Sequence, residues 1–236
     1  MGSSHLRLAD AELGRPQTRQ AILDETPATG PMQDRYGLFF RVGETVDYEP
    51  ELASSVAAEA TATGRSGNEI VYDQMASDGG AGCLLLASGN YADGTLEPAL
   101  EMMRFPSSIL GLGDAGAHCT IICDASAPTY MLSYWTRDRT RGDRLEVPEV
   151  IHKLTSEPAS LFGLEDRGVL RTRMKADINV LRYDELSLGR PRMEHDLPAG
   201  GGRLVQDAQG YVATIVNGVV VSHDGADTGA RPGRLI

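Results

Sequence analysis

Residues 109–118 read I-L-G-L-G-D-A-G-A-H, an apolar run that stops at one acidic residue set among glycines. If residues 108–112 form a buried strand, the glycines at 111, 113 and 116 let the backbone turn sharply after it. The Asp114 carboxylate then stands at the strand's C-terminal end, which in a barrel of parallel strands is where catalytic groups sit. A carboxylate there can ligate a metal and also take a proton from a metal-bound water, which makes Asp114 the candidate catalytic residue. The same geometry also suits an Asp that only caps a turn or the following helix.

Spacing offers a rival reading. Gly111-x-Gly113-x-x-Gly116 is the pattern by which a dinucleotide pyrophosphate approaches a helix N-terminus. Its context is missing: residues 117–127 show no helical periodicity before Pro128, and no βαβ unit of about 30 residues closes with an acidic residue on a second strand.

A chain of 236 residues is long enough for one large domain or two smaller ones. Its formal net charge of -11 disfavours nucleic-acid and anionic-membrane partners, which would repel it. Apart from Lys153 and Lys175 the basic side chains are arginines, interspersed with acids as in Arg137-Asp138-Arg139, the pattern of a solvated, ion-paired face. Cys83, Cys119 and Cys123 are odd in number and form no C-x-x-C pair, so a disulfide framework is not expected and a cytoplasmic location is. Cys119 and Cys123 are expected to be small core residues. No apolar run approaches the roughly 18 residues of a membrane span. Residues 1–4 read as an added leader, with no signal peptide.

Helices are expected over residues 51–63, 69–76, 96–103 and 128–141, and again over 147–162 with Pro158 dividing the segment. Strands are expected over 38–42, 83–87 and 108–112, and this alternation predicts α/β architecture with parallel strands. Tyr130, Met131, Tyr134 and Trp135 form an aromatic stripe at helical spacing, the mark of a core face. After Asp166 the period becomes strand-like: residues 176–181 and 210–221 are β-branched runs, with Asn217-Gly218 where a type I′ hairpin turn would fall. Residues 187–203, rich in Gly, Pro and charge, read as a long surface connection.

Several runs together resemble a known family. Gly113-Asp-Ala-Gly-Ala-His118, Cys123-Asp-Ala-Ser-Ala-Pro-Thr-Tyr130 and Trp135-Thr-Arg-Asp-Arg139 are similar to the last barrel strand and final helix of metal-dependent amidohydrolases of the D-aminoacylase (N-acyl-D-amino-acid deacylase) group. Leu154-Thr-Ser-Glu-Pro-Ala159, Gly163-Leu-Glu-Asp-Arg-Gly168, Ala176-Asp177, residues 210–221 and Thr228-Gly-Ala-Arg-Pro-Gly-Arg-Leu235 are similar to the tail by which such enzymes close the barrel and return to a β-sandwich. The resemblance implies the C-terminal part of a (β/α)8 TIM-type barrel followed by strands of a small β-sandwich lobe. The implied division is a leader and surface helix or loop over residues 1–35, a partial barrel over 36–165 and a β lobe over 166–236.

The resemblance implies a zinc enzyme that hydrolyses the amide C–N bond of a small-molecule N-acyl amino acid or related amide with metal-activated water. In it Asp114 approaches the metal and handles the proton of the attacking water, with His118 as a further metal candidate. Asn90 and Tyr91, just after an expected strand, are the substrate-contact candidates. The family's first-strand His-x-His occurs nowhere in this chain, so the chain alone is expected to retain no zinc, to be inactive, and to associate as a homo-oligomer or with a missing N-terminal part. A non-catalytic assembly module keeping the amidohydrolase scaffold is the alternative. The family's turn before Ala176-Asp177 carries a glycine where this chain has Arg173-Met174-Lys175, which predicts an altered entry into the β lobe.

Overall fold

In the computed structural model the described residues are 12–91, 93–111, 113 and 118–234. They gather into two compact units: the described part of Met1–Leu100 with Arg192–Leu204, and that of Glu101–Pro191 with Val205–Ile236.

The first unit is built from α1 (Pro16–Glu25), β1 (Phe39–Arg41), α2 (Val56–Thr63), α3 (Gly67–Met75), β2 (Leu84–Leu86) and the start of α4 (Glu97–Arg104). Strands β1 and β2 pair antiparallel, Phe39 opposite Leu86 and Arg41 opposite Leu84. Alternation sends Phe39 into a core with Val56 and Ile70. Phe40 meets the Tyr91 ring edge-on at 6.2 Å. Each such buried side chain contributes roughly 1.5–3 kcal/mol. Helix α2 starts at Val56 and not at residue 51, because the Ser55 hydroxyl accepts the Ala58 N–H at 3.2 Å and sets the first turn there. Ser66 and Glu69 form a reciprocal capping box on α3. The buried Gln74 amide donates to the carbonyls of Val42 at 3.1 Å and Cys83 at 3.0 Å, tying α3 to the chain beside both strands.

Helix α1 buries no residue, and what holds it is charge. The Arg19 guanidinium donates to Asp73 at 2.9 Å and lies 5.8 Å from the Tyr72 ring centre, while Arg65 donates to the other Asp73 oxygen. Burial draws the Asp73 carboxyl upward, but its bonds from Arg19 and Arg65 outweigh that and hold it below its ordinary value of 3.8.

The second unit carries α5 (Ala127–Ser133), which continues without a break into a π-helical turn over Tyr134–Asp138, then α6 (Val147–Leu154) and α7 (Ser156–Leu161). Thr155, at φ -131° and ψ -85°, separates α6 from α7. The division expected at Pro158 is thus displaced, because Pro158 sits in the first turn of α7, where its missing N–H would have no helical partner.

The remaining strands are β3 (Ile178–Leu181), β4 (Ser187–Leu188), β5 (Arg192–Leu197), β6 (Gly201–Val205), β7 (Ala208–Gln209), β8 (Tyr211–Val216), β9 (Val219–His223) and β10 (Ala226–Asp227). Four of them form a sheet in the order β10-β9-β8-β3, β4 pairs with β7, and β5 pairs with β6. Asn217 and Gly218, at φ 48° and 77°, make the expected two-residue turn between β8 and β9.

Helices and strands are mixed, as expected, but four details differ. Among the described residues the expected parallel pairing is replaced by antiparallel pairing of β1–β2, β3–β8, β4–β7, β8–β9 and β9–β10. Residues 108–111, the described part of the expected strand, are not a strand and leave Ile109 38% exposed; an apolar run becomes a strand only where a neighbour's backbone is in reach. Residues 187–203, expected as a connection, hold β4, β5 and most of β6. Cys119 and Cys123 are half-buried, not core residues.

Arg173 stands at φ 73°, so the turn before Ala176 keeps the left-handed geometry without a glycine. An L side chain there costs about 1–2 kcal/mol, against up to about 1 kcal/mol of extra chain entropy lost by glycine. Arg173→Gly is therefore expected to stabilise the protein by about 0.5–1 kcal/mol in urea unfolding, and a loss of stability would show that the Arg173 side chain holds the turn. The Asp73 network gives a pH test. A carboxyl held below its unfolded value stabilises the fold above that value and loses the contribution as pH falls through its folded pKa. Urea midpoints of the native chain are expected to fall in that acid window, and those of Asp73→Asn to be lower at neutral pH and flatter across it. Parallel curves would place the acid sensitivity elsewhere.

Candidate functional site

Two loops carry the candidate residues, one in each unit. In the first unit, residues 87–96 lead from β2 to α4 and are fastened from beneath. Tyr91 is 2% exposed, and its phenol donates to the Pro50 carbonyl. Glu49, 1% exposed, accepts the Leu96 N–H at 2.7 Å and the Thr95 hydroxyl at 3.0 Å. A carboxylate at the first turn of α4 meets N–H groups that have no helical acceptor and the positive end of the helix dipole. Gly94, at φ 69°, lies where a Cβ would come within 2.5 Å of Leu52, so a side chain cannot enter. Asn90 is exposed on this fixed loop in the left-handed region, at φ 56°.

In the second unit, Asp114 lies outside the described residues, but both flanks of its loop are placed. Gly113 packs on the Asp124 backbone, where a Cβ would stand 2.3 Å from the Asp124 carbonyl oxygen; only glycine permits that approach. On the far side, exposed His118 is left-handed at φ 48°, and its carbonyl accepts the N–H groups of Ile121 at 2.8 Å and Ile122 at 3.0 Å, closing a turn. Asp124 then starts a short 3-10 turn that feeds α5.

That helix is a rigid support. Thr129 and Ser133 are buried beside Leu132 and Trp135. The Ser126 hydroxyl meets Gln206 at 2.6 Å, and the Gln206 amide donates to Gly189 at 2.9 Å. The hydroxyls of Thr129 and Tyr211 share a bond of 2.9 Å, and those of Thr136 and Tyr183 one of 2.6 Å. Arg137 donates to the carbonyls of Tyr183 and Leu186, and the fully buried Arg139 guanidinium lies 4.7 Å from the Trp135 ring centre. The expected aromatic core face is present in Trp135, and Tyr130 stacks on Tyr134 at 4.7 Å.

The arrangement places Asn90 and Tyr91 in the first unit and His118 in the second. Among the described residues, no group of three or more His, Cys, Asp or Glu side chains is placed to hold a metal ion. Glu49 is the residue that sequence reasoning missed. The one signal for it is its place before Pro50, which marks a helix approach and says nothing of a contact 47 residues away.

Residues 21–222 match the model of the Amidohydrolase family, a span that takes in Asn90, Tyr91, Asp114 and His118. Among curated proteins and among solved structures, none matches the chain at a significant level. Among the described residues no helix is long and apolar enough to cross a membrane.

If Glu49 fastens the Asn90 loop, Glu49→Ala leaves the Leu96 N–H and the Thr95 hydroxyl without their acceptor. The expected loss is about 1–3 kcal/mol of stability in urea unfolding, with a smaller loss for Glu49→Gln, whose amide oxygen still accepts. A neutral Glu49→Ala would show that the loop is held by Tyr91 alone.

Proposed function

We propose, from the premise that this chain belongs to the amidohydrolase family, that it is the C-terminal part of an N-acyl-D-amino-acid deacylase-like enzyme. Membership supports a metal-dependent hydrolase in general and a small-molecule amide substrate, and it does not favour the non-catalytic module. The finer reading rests on the runs of residues 113–139 and 154–235 that resemble the D-aminoacylase group. In that reading residues 36–165 are the last strands and helices of a (β/α)8 barrel and residues 166–236 the strands of a β-sandwich lobe. Residues 1–35 precede them as leader and surface helix or loop.

The observation that carries the assignment is the family match across the loop that holds Asp114. Water attacks the amide carbonyl carbon; Asp114 accepts the proton that the water loses and returns it to the departing nitrogen, so the C–N bond breaks to an acid and an amine. Asn90 contacts the substrate with an amide that both donates and accepts, and Tyr91 fixes its loop from below. Zinc is the metal that the resemblance implies, with Asp114 and His118 as this chain's contributions. The described residues by themselves do not make a zinc centre. We therefore place the active species as this chain associated with segments that bring the missing histidines, or with another copy, in the cytoplasm, where three cysteines, Cys83, Cys119 and Cys123, none of them in a disulfide, suit a reducing medium.

The expected outcome is that the chain alone retains no stoichiometric zinc in elemental analysis and does not turn over N-acyl-D-amino acids. One tightly held zinc per chain with turnover would overturn the dependence on added segments. Where barrel segments bearing a His-x-His restore turnover, Asp114→Asn is expected to lower kcat at least about a hundredfold with the melting temperature nearly unmoved. An unchanged kcat would leave Asp114 as a turn cap, which Asn serves almost as well.

A further inference from the structure

The β8–β9 turn places a chemically labile pair under three hydrogen bonds. Of the four asparagines, Asn68, Asn90, Asn179 and Asn217, only Asn217 precedes a glycine, and a residue without a Cβ leaves its own amide nitrogen open to attack the neighbouring side chain. Asn217 is exposed at φ 48°. Its backbone N–H donates to Asp177 Oδ1 at 2.8 Å, and its Nδ2 donates to the Pro232 carbonyl at 2.9 Å. The Gly218 N–H donates to the Ala176 carbonyl at 2.9 Å.

We infer that Asn217-Gly218 is a guarded deamidation site, at which the C-terminal segment 228–233 sets the rate of a spontaneous backbone modification. The Gly218 nitrogen gives up its proton to base and attacks Asn217 Cγ; a new N–Cγ bond forms, the Cγ–Nδ2 bond breaks, and ammonia leaves with a proton. Water then opens the cyclic imide at either of its two carbonyl carbons, leaving aspartate or isoaspartate. No redox change is involved. In the folded chain the attacking nitrogen is occupied by Ala176 and the side-chain amide is held by Pro232, so cyclisation needs local opening.

The guard itself is tethered by polar contacts more than by packing. An open groove of about 490 Å³ is lined by Val216 and Val221 of the hairpin and by Pro232 of the tail. The tail is held by the two-pronged ion pair of Arg231 with Asp227, at 2.9 and 2.6 Å, by the Gly229 N–H donating to Asp227 at 2.9 Å, and by the Thr228 hydroxyl donating to Val220 at 2.8 Å. Arg231 and the Gly229 N–H hold the Asp227 carboxyl at about 2, so the tether stays charged throughout the neutral range. The product would unmake the turn: isoaspartate adds a methylene to the main chain of a two-residue loop, and either product sets a new carboxylate beside Asp177.

The test is peptide mass spectrometry of the full chain aged in mildly alkaline buffer, folded and in urea, with the other three asparagines as internal references. Asn217 is expected to convert ahead of all three in urea, and at least about tenfold more slowly in the folded chain, as a site reached through local opening should. Asp227→Ala, which removes both the ion pair and the Gly229 acceptor, is expected to speed conversion in the folded chain severalfold, with folding verified by circular dichroism. Should that variant unfold, Arg231→Ala releases the same tether and leaves the Gly229 bond. Equal rates folded and unfolded, no acceleration in a folded tether variant, or no conversion in urea would each overturn the inference.

Discussion

The second unit depends on one constraint, the fixing of the helical segment Ala127–Asp138 by side chains that are mostly polar. Its hydroxyls at 129 and 136, the guanidinium of Arg137 and the hydroxyl of Ser126 just before it reach residues 183–211, and each of these bonds needs the helix in one rotation and one register. Apolar packing of Leu132 and Trp135 supplies burial, but a greasy face can slide by a turn where a set of directional bonds cannot. The segment ends in the π-helical turn Tyr134–Asp138, after which the buried Arg139 guanidinium lies over the Trp135 ring and donates to the Asp143 carbonyl at 2.6 Å. With the helix fixed, the Asp124 carbonyl at its entrance is fixed too, and Gly113 rests on it. The start of the Asp114 loop is thus set by contacts on residues far along the chain.

The first unit solves its loop problem differently. Its apolar core is small, centred on Phe39, Val56 and Ile70, and the outer parts are tied on by charge and hydrogen bonds: α1 through Arg19 and Asp73, the Asn90 loop through Glu49 and Tyr91. A buried carboxylate such as Glu49 is tolerable only because donors meet it, and the donors are the orphan N–H of α4 and the hydroxyl next to it. This arrangement ties down the loop's backbone while leaving the Asn90 side chain in water, as the proposed substrate contact would require.

Much of this was legible in the sequence where the signal is local. Asn-Gly between β-branched runs predicts the β8–β9 turn because both positions need positive φ, and the 3.6-residue spacing of Leu100 and its neighbours predicts α4. The family runs point to the Asp114 loop as the candidate site. What failed is what depends on partners. The apolar run at 108–111 looks like a strand, yet pairing is decided by which backbone lies alongside it. The β5–β6 hairpin was invisible because it buries little: Arg192, Met193, His195 and Asp196 are exposed, so no period-two alternation is written into it. Glu49 carries no pattern at all, since its partners are 46 and 47 positions away.

Backbone strain marks the places where the fold over-determines a loop. Among the described residues seven non-glycine positions have positive φ: Asp78, Asn90, His118, Arg173, Ala199, Asn217 and Asp224. Each costs free energy that the surroundings must offset, and such positions persist where the fold over-determines them. Asn217 and Asp224 sit in or beside tight turns of the β8–β9–β10 meander, and their short polar side chains tolerate that geometry. Asn90 and His118 are different, because neither lies in a two-residue hairpin turn. Both are exposed, and both sit on loops whose anchors are buried or close-packed. Glycine at either position would relieve the strain but would remove the amide or the imidazole, so in the proposed reading the strained conformation is the cost of keeping those groups on loops that turn where they do.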